Sequence, residues 1–386
     1  MLARPGLRER LREIARETGA SEKKVEEEAA ACLRELVPGS SRLGYRLLIA
    51  FSRFVYRRGY DREIACDPVE IERYRELARN HPVALVGNHR SQVDGFAMYC
   101  AMHDNGLPHP FTFGGINMKL PLMGAILKGS KLIFIRRSFG DNPVYKAVLR
   151  AYIDFLVENR FPLFWAIEGT RSRTGKLSAP RFGLISWVVD AQQRVASEDL
   201  YVVPVAVSYE QIRDAQSYSD EQRGVKKKPE NFRWLVKYLA GFKHNLGQIT
   251  VRFGEGVSLQ QQMEQIRRTT PEILDFRDKV VLKMAIAGCL GLNKVTPITA
   301  TSLVCMLLLQ AAPHAVTRDE LTREFAGLAA YVRSSRWPAT FDVTFDNRGD
   351  SGPVLERTLA SLEANDVVEC YAEGADPVYS IKPGKD

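Results

Sequence analysis

A cysteine pattern and a long apolar run are both missing from this 386-residue chain. Its six cysteines (Cys32, Cys66, Cys100, Cys289, Cys305, Cys370) show no C-x-x-C spacing. That argues against a cysteine-built metal centre or a disulfide scaffold and leaves buried free thiols in a reducing compartment as the expectation; no metal and no cofactor is implied. No uninterrupted stretch reaches the roughly 20 apolar residues of a membrane-crossing helix. Arg4, Arg8, Arg10 and Arg12 interrupt any apolar run near the start, so no secretory leader is expected there. Ser91, Ser130 and Ser172 are nucleophiles by type, but none sits in a G-x-S-x-G elbow, so nothing points to a covalent acyl-enzyme. Internal repeats are absent as well.

What is present suits a globular protein with an anionic partner. Hydrophobic residues make up 45% of the chain, enough for a real core, and the net charge is +8. The charge favours phosphorylated substrates, coenzyme A, acidic lipid or nucleic acid.

The most informative stretch is Val83-Ala84-Leu85-Val86-Gly87-Asn88-His89-Arg90-Ser91-Gln92-Val93-Asp94. Its apolar run, between Pro82 and Gly87, reads as a buried parallel-type strand. From Val93 the apolar residues Phe96, Ala97, Tyr99, Cys100 and Met102 continue at helical spacing, with Asp94 in the first turn. Positions i and i+5 on a regular helix point about 140° apart. His89 and Asp94 therefore meet only if the histidine lies on a loop and the aspartate on the helix behind it. A carboxylate so placed would fix the imidazole tautomer and leave the other nitrogen free as a general base. The competing reading makes both residues ordinary loop and capping positions.

Along the chain, residues 1–80 form a helical N-terminal region. Within it, Leu43–Arg58 mixes apolar bulk with Arg46, Arg53, Arg57 and Arg58. This is either an interfacial helix whose arginines reach phosphate headgroups or a helix packed on the main domain with solvated arginines. Residues 81–262 alternate strand-like segments (Val83–Val86, Phe111–Phe113, Leu132–Ile135, Leu163–Ile167, Val202–Val207, Ile249–Phe253) with helical ones, including Val144–Val157 and Pro180–Gln193. The alternation predicts an α/β domain with a mostly parallel sheet flanked by helices. A basic insert, Arg223 to Lys228, reads as a surface loop. Residues 263–312 read as a helical segment packing on that core. Residues 313–386 read as a small α+β, winged-helix-like region, with helices from Thr317 and over Val354–Asn365 before a hairpin of Val367–Tyr371 and Val378–Ile381.

Two further stretches fall at strand ends, where open parallel sheets build their sites. Leu132-Ile133-Phe134-Ile135 delivers Arg136 and Arg137, in a region with no acidic residue between Met118 and Gly140. Phe164-Trp165-Ala166-Ile167 opens into Glu168-Gly169-Thr170-Arg171-Ser172-Arg173-Thr174-Gly175-Lys176. Glycines admit a ligand close to the backbone, while hydroxyls and arginine forks match phosphate oxygens. A solvated basic loop is the plainer alternative.

Taken together, Asn88 to Asp94, Gly114-Gly115-Ile116-Asn117, Phe134-Ile135-Arg136-Arg137, Glu168 to Lys176 and Val203-Pro204-Val205 resemble the ordered blocks of the glycerolipid acyltransferases, with their HX4D motif. The likeness is closest to glycerol-3-phosphate acyltransferases of the bacterial PlsB type and their mitochondrial and peroxisomal relatives. Lys226–Pro229 after Tyr209-Glu210, Asn245-Leu246-Gly247-Gln248 and Val251-Arg252-Phe253-Gly254 look like that branch too. Gln92 stands where many of its members carry a second histidine. The resemblance covers roughly residues 45–310.

It implies transfer of an acyl group from an acyl thioester, carried by coenzyme A or acyl carrier protein, to the sn-1 hydroxyl of glycerol 3-phosphate in phospholipid synthesis. His89 would be the base, oriented by Asp94. Arg136, Arg137, Arg171 and Arg173 would be the candidates for the acceptor phosphate, some of them converging on one pocket beside His89, and Glu168 would meet the acceptor's free hydroxyl. Gly169, Thr170 and Ser172 would shape the pocket, as would Pro204. Backbone N–H groups near Asp94 would steady the thioester oxyanion. Dihydroxyacetone phosphate and lysophosphatidate are the alternative acceptors. A nucleic-acid-binding role of the C-terminal region is the alternative of another class; the concentration of motifs in the central domain argues against nucleic acid as the partner. With an amphiphilic product, the Leu43–Arg58 helix and the apolar stretch near Met118–Leu127, the expected place of work is a peripheral or monotopic position on anionic lipid at the cytoplasmic face of the cell membrane.

Overall fold

A computed structural model of the chain describes residues 1–39, 41–115, 129–136, 142–195, 198–224, 237–242, 244–270, 274–340, 351–374 and 376–383. The strands are β1 Ile64–Cys66, β2 Val83–Gly87, β3 Phe111–Gly115, β4 Leu132–Ile135, β5 Leu163–Ala166, β6 Tyr201–Tyr209, β7 Ile249–Phe253, β8 Val257–Ser258, β9 Val316–Thr317, β10 Val368–Tyr371 and β11 Val378–Ile381. The helices, in chain order, are α1 Pro5–Thr18, α2 Glu22–Leu36, α3 Arg42–Tyr56, α4 Pro68–Asn80, α5 Asp94–Asp104, α6 Pro143–Glu158, α7 Phe182–Val195, α8 Ala215–Gln222, α9 Leu259–Thr269, α10 Phe276–Val295, α11 Ala300–Ala311, α12 Arg318–Ser334 and α13 Gly352–Ala364.

The central sheet runs β1-β7-β6-β2-β5-β3-β4, with β8 beside β6. From β6 to β4 every neighbouring pair is parallel. β7 pairs antiparallel with β6, and β1 follows β7, so that edge runs in reverse. The fold is α/β with a mostly parallel sheet, as the strand and helix periodicities imply. Both faces are covered, and β2 shows why its sequence is apolar throughout: all five of its residues are buried. Ala84 and Val86 join a core with α1, α2, α6, α7 and α10, while Val83 and Leu85 join a second core with α3, α4 and α5. The two-residue strand period splits one strand between two cores. Burying each such valine or leucine contributes about 1.5–3 kcal/mol, so an aspartate at Leu85 would unmake the second core.

Local signals set the helix starts. Asp67 accepts from the Val69 amide and is followed by Pro68, and Asn142 accepts from the Tyr145 amide and is followed by Pro143. α3 combines both readings of its sequence. Leu48, Ile49, Val55 and Tyr56 are buried against the main domain, whereas Leu43, Leu47 and Phe54 are exposed. Among the described residues no helix is long and apolar enough to cross a membrane. The apolar stretch near Met118–Leu127 and Lys226 to Lys228 of the basic insert lie outside the described residues.

The C-terminal region needs one correction. Residues 263–312 were expected to pack on the central domain as one segment, and α10 does so. α11 instead contributes Ala300, Leu303, Val304 and Leu308 to a third core with α12, α13, Val368 and Tyr379. The pattern in α11 is apolar enough for either core, and the break at Thr296–Thr299 is what separates it from α10. A β10-β11-β9 antiparallel sheet completes this unit. It is tied back to β6 by Glu210, whose carboxylate accepts from the Thr301 and Thr340 hydroxyls at 2.8 and 2.5 Å.

Candidate active site

The site grows from the end of β2. Gly87 is required there because a Cβ would come within 2.7 Å of the Phe164 ring. Asn88 then extends the sheet with its side chain: Nδ2 donates to the Val207 carbonyl at 3.0 Å and Oδ1 accepts from the Val207 amide at 2.9 Å. The buried amide stands in for a strand residue and fixes where the chain leaves the sheet. The β5 loop grips the next residue. The His89 amide donates to Glu168 Oε2 at 3.2 Å, and the His89 carbonyl accepts from the Ser172 amide at 2.7 Å.

So held, the imidazole meets the aspartate. His89 Nδ1 lies 2.8 Å from Asp94 Oδ2. The same oxygen accepts from the Arg90 and Ser91 amides at 2.7 and 2.9 Å, and Oδ1 accepts from the Tyr209 hydroxyl at 2.6 Å. An ionised carboxylate only accepts, and this one is surrounded by donors, so Nδ1 carries the proton and Nε2 is left with its lone pair. Asp94 is 6% exposed. The His89 side chain is 34% exposed, which leaves its far edge open to a substrate. Burial, then the negative charge of Asp94, holds the Tyr209 hydroxyl well above its ordinary pKa, so it remains a donor at any working pH.

Each amide from His89 to Asp94 has an acceptor inside the protein. Besides those above, the Gln92 amide reaches Asp214 Oδ2, the Val93 amide reaches Ser91 Oγ, and the Asp94 amide reaches the Ser91 carbonyl. These six donors hold the loop.

The arginines divide. Arg136 forms a two-pronged ion pair with Glu35, at 3.0 and 2.6 Å, over the Tyr145 ring. β4 is three strands from β2 in the sheet order, roughly 14 Å at the usual strand spacing, so Arg136 is not brought to His89. Arg173 pairs with Glu221 at 2.5 Å. Arg171, with a side chain 15% exposed, lies 3.9 Å from Asp214 and faces the Tyr218 ring. Arg137 lies outside the described residues. Of the candidate arginines, Arg171 is turned toward Asp214, which also holds the His89 loop through Ser91, whereas Arg136 and Arg173 are paired with Glu35 and Glu221.

Glu168 also holds the backbone. Both oxygens are taken by backbone amides, those of His89 and Ser178, and it is 2% exposed. It shapes the loop, with one amide on each oxygen. Gly169 turns with φ 68°, Thr170 is exposed, and Ser172 donates its hydroxyl to the Lys176 carbonyl at 2.6 Å. Pro204 pairs in register with Val86 and packs its ring where a Cβ on Gly291 of α10 would fall 2.3 Å away. Its place is between sheet and helix, a packing role in place of substrate contact.

Residues outside the expected set complete the site. Tyr209 follows Val203, Val205 and Val207 on one face of β6, so strand alternation alone aims it at α5. Arg90, Lys176, Asn88 and Glu168 line a narrow cavity closed by Asn293 and Thr296 at the end of α10. Burial presses the Arg90 guanidinium below its ordinary pKa, opposed by the charges of Asp94 and Glu168. Among the described residues, no group of three or more His, Cys, Asp or Glu is arranged to hold a metal.

The chain is similar to known proteins over most of its length. The acyltransferase family model matches residues 68–208, and the model of the glycerol-3-phosphate acyltransferase C-terminal region matches residues 218–386. The acyltransferase plsB1 of Mycobacterium tuberculosis is 33% identical over 373 residues, covering 97% of this chain and 58% of that protein. The glycerol-3-phosphate acyltransferase of Haemophilus influenzae is 27% identical over 374 residues, covering 93% of this chain and 44% of that protein. The chain thus spans about half the length of the curated relatives it matches. The crystal structure of the 1-acyl-sn-glycerophosphate acyltransferase PlsC from Thermotoga maritima aligns with 63% of this chain and 78% of its own, at 15% identity and a TM-score of 0.35. That likeness is too loose to support an argument.

Proposed function

From the premise that this chain belongs to the glycerol-3-phosphate acyltransferases of the PlsB type, within the glycerolipid acyltransferase family, we propose that it moves a fatty acyl group from an acyl thioester to the sn-1 hydroxyl of glycerol 3-phosphate, giving lysophosphatidic acid for phospholipid synthesis. The observation that carries this reading is the 2.8 Å contact of His89 Nδ1 with Asp94, which turns Nε2 outward as a base. Nε2 takes the hydroxyl proton as that oxygen attacks the thioester carbonyl. The C–S bond then breaks, and the imidazolium, steadied by the Asp94 carboxylate, returns the proton to the leaving thiolate. The donor is an acyl group on coenzyme A or acyl carrier protein, since either presents the same thioester.

The acceptor's phosphate meets Arg171, tied to the His89 loop through Asp214, with Arg90 and Lys176 of the cavity lining. Arg137 is retained as a contributor, and Arg136 and Arg173 serve the architecture through Glu35 and Glu221. Product formation is the test. Purified protein is given an acyl thioester with glycerol 3-phosphate, dihydroxyacetone phosphate or lysophosphatidate, and the products are separated by mass. Monoacylation of glycerol 3-phosphate at the highest kcat/KM is expected. A preference for either other acceptor replaces the substrate, and no acyl transfer to any of them overturns the reading.

The enzyme works as a peripheral protein on an anionic membrane surface. Support comes from the exposed Leu43, Leu47 and Phe54 of α3, carried beside Arg46, Arg57 and Arg58. Aromatic and aliphatic groups enter the interface while arginines meet phosphates, each basic residue adding about 1 kcal/mol. Flotation with anionic vesicles at low salt should carry the protein upward, and Leu47→Glu with Phe54→Glu should leave most of it behind. Equal flotation of the variant would remove α3 from the contact.

A further inference from the structure

Asp214 lies between the stretches matched by the two family models, 68–208 and 218–386, and opens α8 as its N-cap residue. An aspartate at that position ordinarily caps its own helix by accepting from the amides of the first turn. Here the side chain makes no such bond. It turns instead toward the His89 loop, where Oδ2 accepts from Ser91 Oγ at 2.6 Å and from the Gln92 amide at 3.3 Å. The Tyr238 hydroxyl donates to the same oxygen at 3.2 Å, and Oδ1 faces Arg171 at 3.9 Å. The residue is 3% exposed.

The His89 loop is thereby suspended between two buried carboxylates. Asp94 takes the imidazole and the Arg90 and Ser91 amides from one side; Asp214 takes the Ser91 hydroxyl and the Gln92 amide from the other. Neutral acceptors would satisfy Ser91, Gln92 and Tyr238 equally well, and an asparagine is as good a helix cap. Burying a charge there is costly unless a cation answers it, and Arg171 is the cation in reach. Burial raises the Asp214 pKa, while the Ser91 hydroxyl and then Arg171 act to lower it.

We infer that Asp214 is a positioning residue that joins the His89 loop to Arg171, so that the base and the cation meeting the acceptor's phosphate are set as one unit. This rests on the proposed acyl transfer to a phosphorylated acceptor. Asp214 touches neither substrate; it acts through Ser91, Gln92 and Arg171. The acceptor's phosphate and the Asp214 carboxylate share Arg171 from different sides, and the hydroxyl to be acylated is thereby held at a fixed distance from the imidazole.

The test is a cycle of Asp214→Asn, Arg171→Ala and the pair, with Asp214→Glu as the conservative variant. In Asp214→Asn, kcat/KM for glycerol 3-phosphate should fall about tenfold or more while KM for the acyl thioester stays within twofold. Asp214→Glu should recover part of the loss. In the Arg171→Ala background the same Asn change should add less than twofold, since residues acting as a unit are non-additive. Equal effects in both backgrounds, or equal losses toward both substrates, would mean a purely structural role and overturn the inference. Hydrogen exchange at the Gln92 amide provides a readout that needs no turnover. It should accelerate at least tenfold in Asp214→Ala and stay near the unaltered rate in Asp214→Asn. Unchanged exchange in Asp214→Ala overturns the link to the loop. If the unaltered protein acylates no phosphorylated acceptor, the proposed function fails, and the exchange result still decides whether Asp214 holds the loop.

Discussion

The His89 loop and the arginine-bearing strand ends lie at the C-terminal ends of parallel strands of one sheet, yet they find their partners at different distances along the chain. His89 meets Asp94 five positions away and the loop amides close on the same carboxylate. Arg136 meets Glu35, 101 positions away, and Arg173 meets Glu221, 48 positions away. A motif whose geometry is closed within a strand, a loop and a helix start keeps its chemistry available. Cations displayed at strand ends are open to any carboxylate that tertiary packing brings by, and here two of them are already paired.

The sharpest way to break the comparison is to remove the base. His89→Ala should lower kcat about a thousandfold, the range of a lost general base, with KM for glycerol 3-phosphate changed less than threefold. Steady-state kinetics on protein of unchanged circular dichroism would check this, and a kcat within tenfold of the unaltered protein would refute the assignment. Asp94→Asn should follow with a loss of about a hundredfold, because the amide can offer a donor to Nδ1 and favour the wrong tautomer. Retained activity there would mean that the loop amides alone orient the ring.

The arginines should give smaller and unequal effects. Arg171→Lys keeps a charge but loses the planar fork, so KM for the acceptor should rise roughly tenfold. Arg136→Ala and Arg173→Ala should leave kcat/KM within about twofold; each loses only a partly exposed ion pair, a matter of about 1 kcal/mol or less. If Arg136 or Arg173 instead governs acceptor KM, the division drawn between the cation tied to the His89 loop through Asp214 and those paired with Glu35 and Glu221 is wrong.

A second histidine extends the contrast from turnover to stability. His109 packs between Tyr45 and Tyr99, and burial, helped by the neighbouring Lys131, lowers its pKa from 6.5 to about 4 despite the Ser130 carbonyl. A base depressed on folding stays neutral in the native chain while the unfolded chain binds a proton. The stability it contributes is present above about pH 6.5 and is lost as pH falls toward 4, on the order of 3 kcal/mol. His109→Gln should flatten that part of the urea-denaturation profile and leave turnover unchanged. An identical slope in the variant would remove His109 as its source.

These outcomes trace what the sequence could and could not disclose. The α/β alternation, the strand Val83–Gly87 and the opposition of His89 and Asp94 follow from periodicity and one bend, so they are legible locally. Tyr209 was within reach of the same logic, since it continues the alternation of Val203, Val205 and Val207. Glu35, Asp214 and Glu221 carry no such mark. Each is an ordinary charged residue in a helical or turn context, and only the packing of α2 beside β4 and of the start and end of α8 beside the His89 and β5 loops selects it. Glu168 illustrates a further limit: composition placed it correctly beside the histidine, but not the amides of His89 and Ser178 that occupy both its oxygens. The expectation that α11 packs on the central core failed for a related reason, because an apolar helix does not declare which core it will join.

The central claim is that Asp94 sets the His89 imidazole with its proton on Nδ1 and its lone pair on Nε2. Nitrogen-15 correlation spectra of the His89 ring, taken in the substrate-free protein at a pH where the ring is neutral, read this directly. The account predicts a protonated Nδ1 and a bare Nε2, with the pattern disturbed in Asp94→Asn. A ring carrying its proton on Nε2, with Nδ1 bare toward Asp94, would contradict it.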